Sequence, residues 1–402
     1  MKIGFIYENG FSNNNGSNHL LADVINELLV ENEVFLFESK VSDDTFLKKD
    51  ILNNPHFHLI DFPCPVIRKD NFIKRYLNGR KLAKRIEKET KKYPFDIYFV
   101  QSSPTVYFVY KRLLKQRKPI VYNIYDVFPG FAYELGILKF KFLDTFFKHR
   151  QRLLYKNSTR IIVMSDDMKR VIVDQGANPE LIDIAHCWFD DDIEYIDSKS
   201  NPFAIRNNIN LSKFIVQYAG NIGQAFDYES FTKLATELIN DVNIEFHIIG
   251  DGVNLEKMKS LSPSNIKFFG WQPASVLNQI YSYPDLEIIP LRHGVIGNSV
   301  PSKPAYALGC GKKILNIVEN SSYYWMFEKN CIGWSFNHNQ IDEAAKLLRH
   351  LSNQKSINKV LYSENCVLFS KEYYSKKDNI NIILDSLNLA LFKSVEIYNK
   401  GK

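Results

Sequence analysis

Two doubly wound α/β domains, each a parallel sheet covered by helices, are what the sequence predicts, and three observations lead there. A chain of 402 residues exceeds one compact core and suits two domains. Short β-rich runs alternate with helical stretches in both halves, the order that builds parallel sheets. Between the halves lies DDDIEYIDSKSNPF (190–203), acidic and polar, which reads as a linker. The expected division is 1–198, 199–375, and a C-terminal helix within 376–402 that packs back on the first domain.

The elements follow in order. In the first half, KIGFIYE (2–8), EVFLFES (33–39), DIYFVQS (96–102), PIVYNIYD (119–126) and RIIVMS (160–165) are rich in the branched and aromatic residues that strands favour. Helices are expected between them at 17–30, 71–92, 105–117 and 139–156. In the second half the strands are FIVQYAG (214–220), IEFHIIG (244–250), IKFFG (266–270), LEIIPL (286–291) and KILNIV (313–318). Helices are expected at 228–240, 252–261, 273–282, 302–309 and 340–352, and a last amphipathic one at 378–398. Two such sheets face across a cleft at their carboxyl edges, where open α/β folds bind ligands.

Composition excludes several classes. Apolar content of 45% with 24% charged residues is that of a globular protein. Five scattered cysteines (Cys64, Cys187, Cys310, Cys331, Cys366) form no CxxC, which argues for a reducing compartment and against a disulfide framework. Nine histidines, His56 and His58 among them, include no HExxH or His/Cys set, so no metal is expected. Asp190-Asp191-Asp192 reads as a solvated charge run. The N-terminus turns polar too early for a signal peptide, and no apolar run reaches the roughly 18–20 residues of a spanning helix. A cytoplasmic location is expected, compatible with the inner face of a membrane.

Charge is unevenly spread. Residues 65–160 hold 23 Lys/Arg against 7 Asp/Glu. FIKRYLNGRKLAKRIEKETKK (72–92) reads as a basic helix whose apolar side carries Phe72, Ile73, Tyr76, Leu77, Ala83 and Ile86. ILKFKFLDTFFKHRQRLLYK (137–156) mixes Phe140, Phe142, Phe146 and Phe147 with seven Lys/Arg/His and one acid. This pattern suits an anionic membrane surface; a solvated basic face is the plain alternative. Nucleic acid is not expected, because no RNP, helix-turn-helix or finger pattern accompanies the charge.

Four turns at the carboxyl edge of the second domain concentrate Gly, Asn, Ser and Pro. QYAGNIGQAFDYESF (217–231) brings Gly220, Asn221 and Gly223 to a strand-turn-helix junction, where glycine permits close backbone approach, and the helix from Tyr228 aims its amides at the same edge. IIGDG adds Gly250 and Asp251; FFGWQP adds Gly270 and Trp271, at a depth suited to an aromatic base. GNSVPSKPAYALGCGKKIL (297–315) offers Asn298 and Ser299, Pro301 in a first helical turn, and the donors of Ser302 and Lys303 beside it. Each piece alone is equally readable as a turn or a capped surface helix. Together they describe a nucleotide pocket.

The order GNIGQAFD, IIGDG, FFGWQP, NSVPSKPAYALGCGKKIL resembles the donor-binding domain of family 4 glycosyltransferases, which have the GT-B fold of two Rossmann-like domains. YNIYDVFPGFAYELGIL (122–138) and HCWFD (186–190) are similar to first-domain segments of the bacterial capsule, exopolysaccharide and O-antigen enzymes. The resemblance implies retaining, metal-independent transfer from a nucleotide-sugar donor, with no further cofactor, to a polyprenyl-diphosphate-linked or other glycan acceptor. Lys303 is then the group that stabilises charge on the departing phosphate. Asp126 orients the acceptor hydroxyl or, alternatively, caps a helix before Pro129. Glu8, Asn9 and Gly10 line the acceptor side. The family's two glutamates fall on Asn298 and Tyr306 here, and a histidine that many relatives place over the donor sugar falls on Tyr125. Those departures keep two rivals in view: a nucleotide-sugar epimerase and a non-catalytic nucleotide-sugar-binding partner of a transferase.

Overall fold

Every pairing between named strands is parallel, and the strands form a seven-stranded and a six-stranded sheet. The computed structural model describes residues 1–12, 17–66, 71–134, 136, 141–189, 193–355 and 362–400. It divides into one unit of Met1–His186, Gly297–Val300 and Lys377–Lys402 and another of Cys187–Ile296 and Pro301–Lys376.

The first unit runs β1 (Lys2–Tyr7), α1 (Asn18–Leu28), β2 (Glu33–Lys40), α2 (Lys49–Leu52), β3 (Phe57–Pro63), α3 (Phe72–Thr90), β4 (Ile97–Gln101) and α4 (Tyr107–Leu113). It continues with β5 (Ile120–Ile124), α5 (Gly130–Glu134), α6 (Lys141–Asn157), β6 (Arg160–Val163), α7 (Asp166–Asp174) and β7 (Ile182–Ile184). The strand order β3-β2-β1-β4-β5-β6-β7 reverses between β1 and β4. Inner strands are mostly apolar because helices cover both faces: Ile3, Phe5, Leu36, Ile97, Phe99, Val121 and Ile161 are fully buried.

The second unit runs α8 (Pro202–Arg206), β8 (Phe214–Ala219), α9 (Tyr228–Glu237), β9 (Ile244–Ile249), α10 (Leu255–Leu261), β10 (Ile266–Phe268), α11 (Leu277–Ser282) and β11 (Leu286–Pro290). It ends with α12 (Lys303–Gly309), β12 (Ile314–Ile317), α13 (Ser322–Lys329), β13 (Gly333–Phe336), α14 (Ile341–Lys355) and α15 (Glu364–Tyr373), before α16 (Lys376–Lys400). Its order is β10-β9-β8-β11-β12-β13, with the reversal between β8 and β11. Val216, Phe246, Ile288 and Leu315 form its core with Phe231 and Leu234 of α9 and Ala344 and Leu348 of α14.

Sequence and structure part at the sheet edges. Strands β3, β7 and β13, absent from the expected set, are each an edge of a sheet. Edge strands are covered less, so they need no apolar run: β3 carries His58 and Asp61, β7 has three residues and β13 four. Along α3 the expected apolar side divides. Ala83 and Ile86 are buried, but Ile73 and Leu77 are 74% and 52% exposed, because the close approach to the α4 start falls further along, at Gly79 beside Thr105. Phe147 is buried and Phe146 is 45% exposed. Asp190–Asp192, Phe140, and the side chains of Phe72 and Phe142 lie outside the described residues.

Residues of α16 from Lys377 onward group with the first unit, burying Ile383, Leu387 and Ala390. The Ser386 hydroxyl donates to Asp183 of β7, and the His186 N–H donates to Asn379 Oδ1 at 2.6 Å. Asp183 in turn accepts from the Arg160 guanidinium of β6, with Nε at 2.9 Å. Removing one partner of such a pair strands the other charge. Asp183→Ala is therefore expected to lower stability by about 3 kcal/mol, measured by urea unfolding; Ser386→Ala, which leaves the ion pair whole, should cost far less.

Candidate anion site at the strand reversal of the second unit

Strands β8 and β11 are paired at Leu286↔Val216 and Glu287↔Gln217. Beyond Gln217, a side chain takes over from the ladder. Glu287, fully buried, accepts the Ala219 N–H at Oε1 (2.9 Å) and Gln217 Nε2 at Oε2 (3.1 Å). The Tyr281 hydroxyl of α11 donates to the Ala219 carbonyl at 3.2 Å, so both backbone groups of Ala219 are held by side chains. Burial pushes the Glu287 carboxyl up to about 8, against the pull of its two donors and of the Lys303 charge.

Lys303 lies directly over this junction. A Cβ placed on Gly220 would stand 1.9 Å from Lys303 Cε and 3.0 Å from Nζ, so only glycine allows the lysine stem to cross there. The ammonium sits 5.7 Å from the centre of the Tyr218 ring. Desolvation pulls its pKa below the usual lysine value, and the Glu287 charge opposes that shift. Among the described residues no carboxylate comes within 4.0 Å of Nζ. The partly buried cation has, among the described residues, no contacting counter-charge, a condition that an anionic ligand relieves.

Neighbouring turns are bonded to one another through their backbones. The Gly220 N–H donates to Ile249 O (2.8 Å), Ile222 N–H to Asp251 O (2.9 Å), and Gly250 N–H to Gly270 O (2.8 Å). Asn254 Nδ2 reaches Gly223 O at 2.8 Å. Gly250 has φ +139°, and a Cβ there would meet Gly220 O at 1.9 Å. Asn221 packs its side-chain amide against Gly223 and Gly252. Asp251 caps its own turn through Gly252 N–H at 2.7 Å, and Trp271 is 70% exposed just beyond Gly270. Tyr306 stacks on Tyr281 with ring centres 5.6 Å apart.

Two details of the expected site change. The helix carrying Lys303 begins at that lysine, with Ser302 at its cap (φ −85°, ψ −17°) and making no side-chain cap bond. Pro301 therefore precedes the helix, and Pro304, which needs no N–H partner in a first turn, is the proline inside it. The start of α9 is closed by the chain itself: Asp227 accepts the Ser230 N–H at 3.1 Å, so a carboxylate already occupies the position proposed for a ligand.

Asn298 and Ser299 fall in the Gly297–Val300 segment that groups with the first unit. The Asn298 carbonyl accepts the Val127 N–H at 2.8 Å, and its side-chain amide covers Gly130. Asp126, next to Val127 and past the end of β5, is exposed. Tyr125 is buried with its N–H on Ser102 Oγ at 3.1 Å.

At the first unit's own reversal, Glu8 after β1 accepts from the Ser103 hydroxyl and from Thr105 Oγ1 (2.8 Å), both following β4. Burial raises its pKa, and its Oε1 has no hydrogen-bond partner. The Asn9 carbonyl accepts Ser39 Oγ at 3.3 Å, and Gly10, at φ +72°, lies against the Ser39 carbonyl. Among the described residues no three His, Cys, Asp or Glu side chains gather as a metal site.

Glu287, Gln217 and Tyr281 were missed by the sequence reading. The available signal was a single acid within LEIIP, a strand otherwise apolar and central to its sheet.

Two doubly wound parallel sheets, each flanked by helices, are the GT-B fold. The profile of Glycosyltransferase Family 4 matches residues 15–193. The chain is 24% identical over 240 residues to the probable glycosyltransferase WbjE of Pseudomonas aeruginosa, an alignment covering 56% of this chain and 58% of that protein. Among solved structures it is similar to Anabaena Alr3699/HepE in complex with UDP-glucose (TM-score 0.72, 14% identity, 96% of this chain and 99% of that one). It is also similar to the sucrose-phosphate synthase tll1590 of Thermosynechococcus elongatus (TM-score 0.74, 13% identity, 98% and 99%).

The Glu287 carboxyl gives a pH signature. Its folded pKa of about 8 stands above the ordinary 4.5. Between those values the unfolded chain ionises this group while the fold holds the proton, so its contribution to stability is lost as pH rises through that window. Glu287→Gln removes that loss. The melting temperature of the variant minus that of the wild type is expected to climb from pH 5 to pH 8; a difference that stays flat or falls contradicts the assignment.

Proposed function

We propose that the chain is a glycosyltransferase that moves a sugar from a nucleotide-sugar onto a glycan acceptor carried on a polyprenyl diphosphate, with retention at the anomeric carbon, in bacterial surface polysaccharide synthesis. One observation carries the reading: the partly buried Lys303 ammonium, without a contacting carboxylate among the described residues, crosses Gly220 at a strand reversal. The donor diphosphate supplies the missing negative charge. As the bond from the anomeric carbon to the β-phosphate oxygen breaks, charge grows on that oxygen and Lys303 stabilises it. The acceptor oxygen bonds to the anomeric carbon on the same face, and its proton passes to the departing phosphate. Asp126, exposed after β5, orients the acceptor hydroxyl.

A uridine nucleotide is the donor base we favour, supported by the UDP-glucose bound to the Anabaena relative. Tyr306, stacked on Tyr281, and Asn298 fall at the sequence positions where the resemblance implies the family's two glutamates. The basic first half supports work at the cytoplasmic membrane face: exposed Ile73 and Leu77 stand among exposed Lys74, Arg80 and Lys81. Among the described residues no helix is long and apolar enough to cross a membrane.

Losing a preorganised donor to a leaving group costs roughly 3–4 kcal/mol. Lys303→Ala is accordingly expected to lower turnover by about 100-fold or more, read as label transferred from UDP-sugars to lipid-linked acceptor. Undiminished transfer removes the mechanism. Donor binding without transfer points to the binding-partner alternative, and epimer formed without acceptor points to the epimerase. Sedimentation with anionic vesicles at low salt, and release at high salt, is the expected result for the membrane face.

A further inference from the structure

The first unit contains a cavity of about 390 Å³ between α3, α4 and α6 that the transfer chemistry does not use. Five cationic side chains and a single carboxylate line it. That carboxylate, Glu87, is already engaged by Arg112 at 3.0 Å and by Lys91 at 3.2 Å. Among the described residues, no carboxylate lies within 4.0 Å of Arg80, Lys111, Lys115 or Arg150.

Arg150 is the built part of the cavity. Its guanidinium lies 3.9 Å from the centre of the Phe146 ring and 4.6 Å from that of Tyr107, and it donates to the Tyr76 hydroxyl. These ring contacts and the hydrogen bond to Tyr76 restrain the planar cation, so less side-chain entropy is lost when it binds an oxyanion. Lys111 and Lys115 project one helical turn apart on the same wall. Four neighbouring positive charges repel one another when the groove is empty, and an anion between them converts that repulsion into attraction.

We propose that this groove is an anion site for a phosphate-bearing molecule, its phosphate oxygens paired with Arg150 and held between Lys111, Lys115 and Arg80. Guanidinium matches two oxygens of a phosphate at once, and the lysines add mobile point charges. The volume falls in the range of discrete ligand sites, which favours a headgroup or small molecule over an extended polymer. The inference rests on residues separate from Lys303 and stands whether or not the chain transfers sugar.

Calorimetric titration of inorganic pyrophosphate into Lys303→Ala protein tests it, since that background removes the ammonium at the other anion site. Binding is expected, and Lys111→Glu with Lys115→Glu should weaken it at least tenfold. Arg80→Gln, at an exposed position, should weaken it by about threefold and serves if the double variant fails to fold. A parallel arm measures retention of the same proteins on phosphatidylglycerol vesicles. Substitution-sensitive retention on vesicles stronger than pyrophosphate binding assigns a lipid headgroup; substitution-sensitive pyrophosphate binding without retention assigns a soluble phosphate. Failure to bind either probe, or binding indifferent to every substitution, overturns the proposal.

Discussion

The buried carboxyl of Glu287, lodged where β8 and β11 stop pairing, holds the ligand edge of the second unit together. It stands in for the backbone partner that Ala219 would otherwise find in the ladder, and so fixes the last residue before Gly220. The same group is the acid whose charge acts on Lys303. A single side chain thus sets both the backbone of the turn and the electrostatics of the cation above it. Burial drives both groups toward their neutral forms, while their mutual attraction favours the charged pair. Any anion bound beside Lys303 would change that balance by favouring the ammonium.

The first unit repeats the arrangement with different residues. Glu8 spans the reversal between β1 and β4, bound to Ser103 and Thr105, and its burial likewise raises its pKa. In a doubly wound sheet the reversal is where adjacent strands send their helices to opposite faces, leaving a crevice at the carboxyl ends. An acid bound by hydroxyl or amide donors sits at that reversal in each sheet. The difference is instructive: Glu287 acts on Lys303, whereas Glu8 Oε1 has no hydrogen-bond partner among the described residues.

Electrostatics also separates the two halves of the chain. Among the described residues, much of the positive excess in residues 65–160 lies on α3, α4 and α6, outside the sheet. Around Arg150 the excess is organised by aromatic rings into a defined cavity; at Ile73 and Leu77 it flanks exposed apolar side chains. One composition bias therefore produces two kinds of basic surface.

The sequence by itself determined the parallel architecture and the glycine-bearing turns. Those features are local: an apolar run covered on both faces becomes an inner strand, and a backbone that must approach another closely needs glycine. Edge strands β3, β7 and β13 were not legible, because partial exposure removes the apolar constraint that marks a strand. The helix start at Lys303 was legible to within two residues, but which proline lay inside it depended on how the preceding segment packs. Only the tertiary structure decided that Asn298 bonds Val127, that Asp227 closes its own helix, and that Glu287 supports the Lys303 site. Gln217 and Glu287 are 70 residues apart in sequence, and their contact exists only because two non-consecutive strands align in one register. No local pattern carries that information, since the register is set by the packing of the whole sheet.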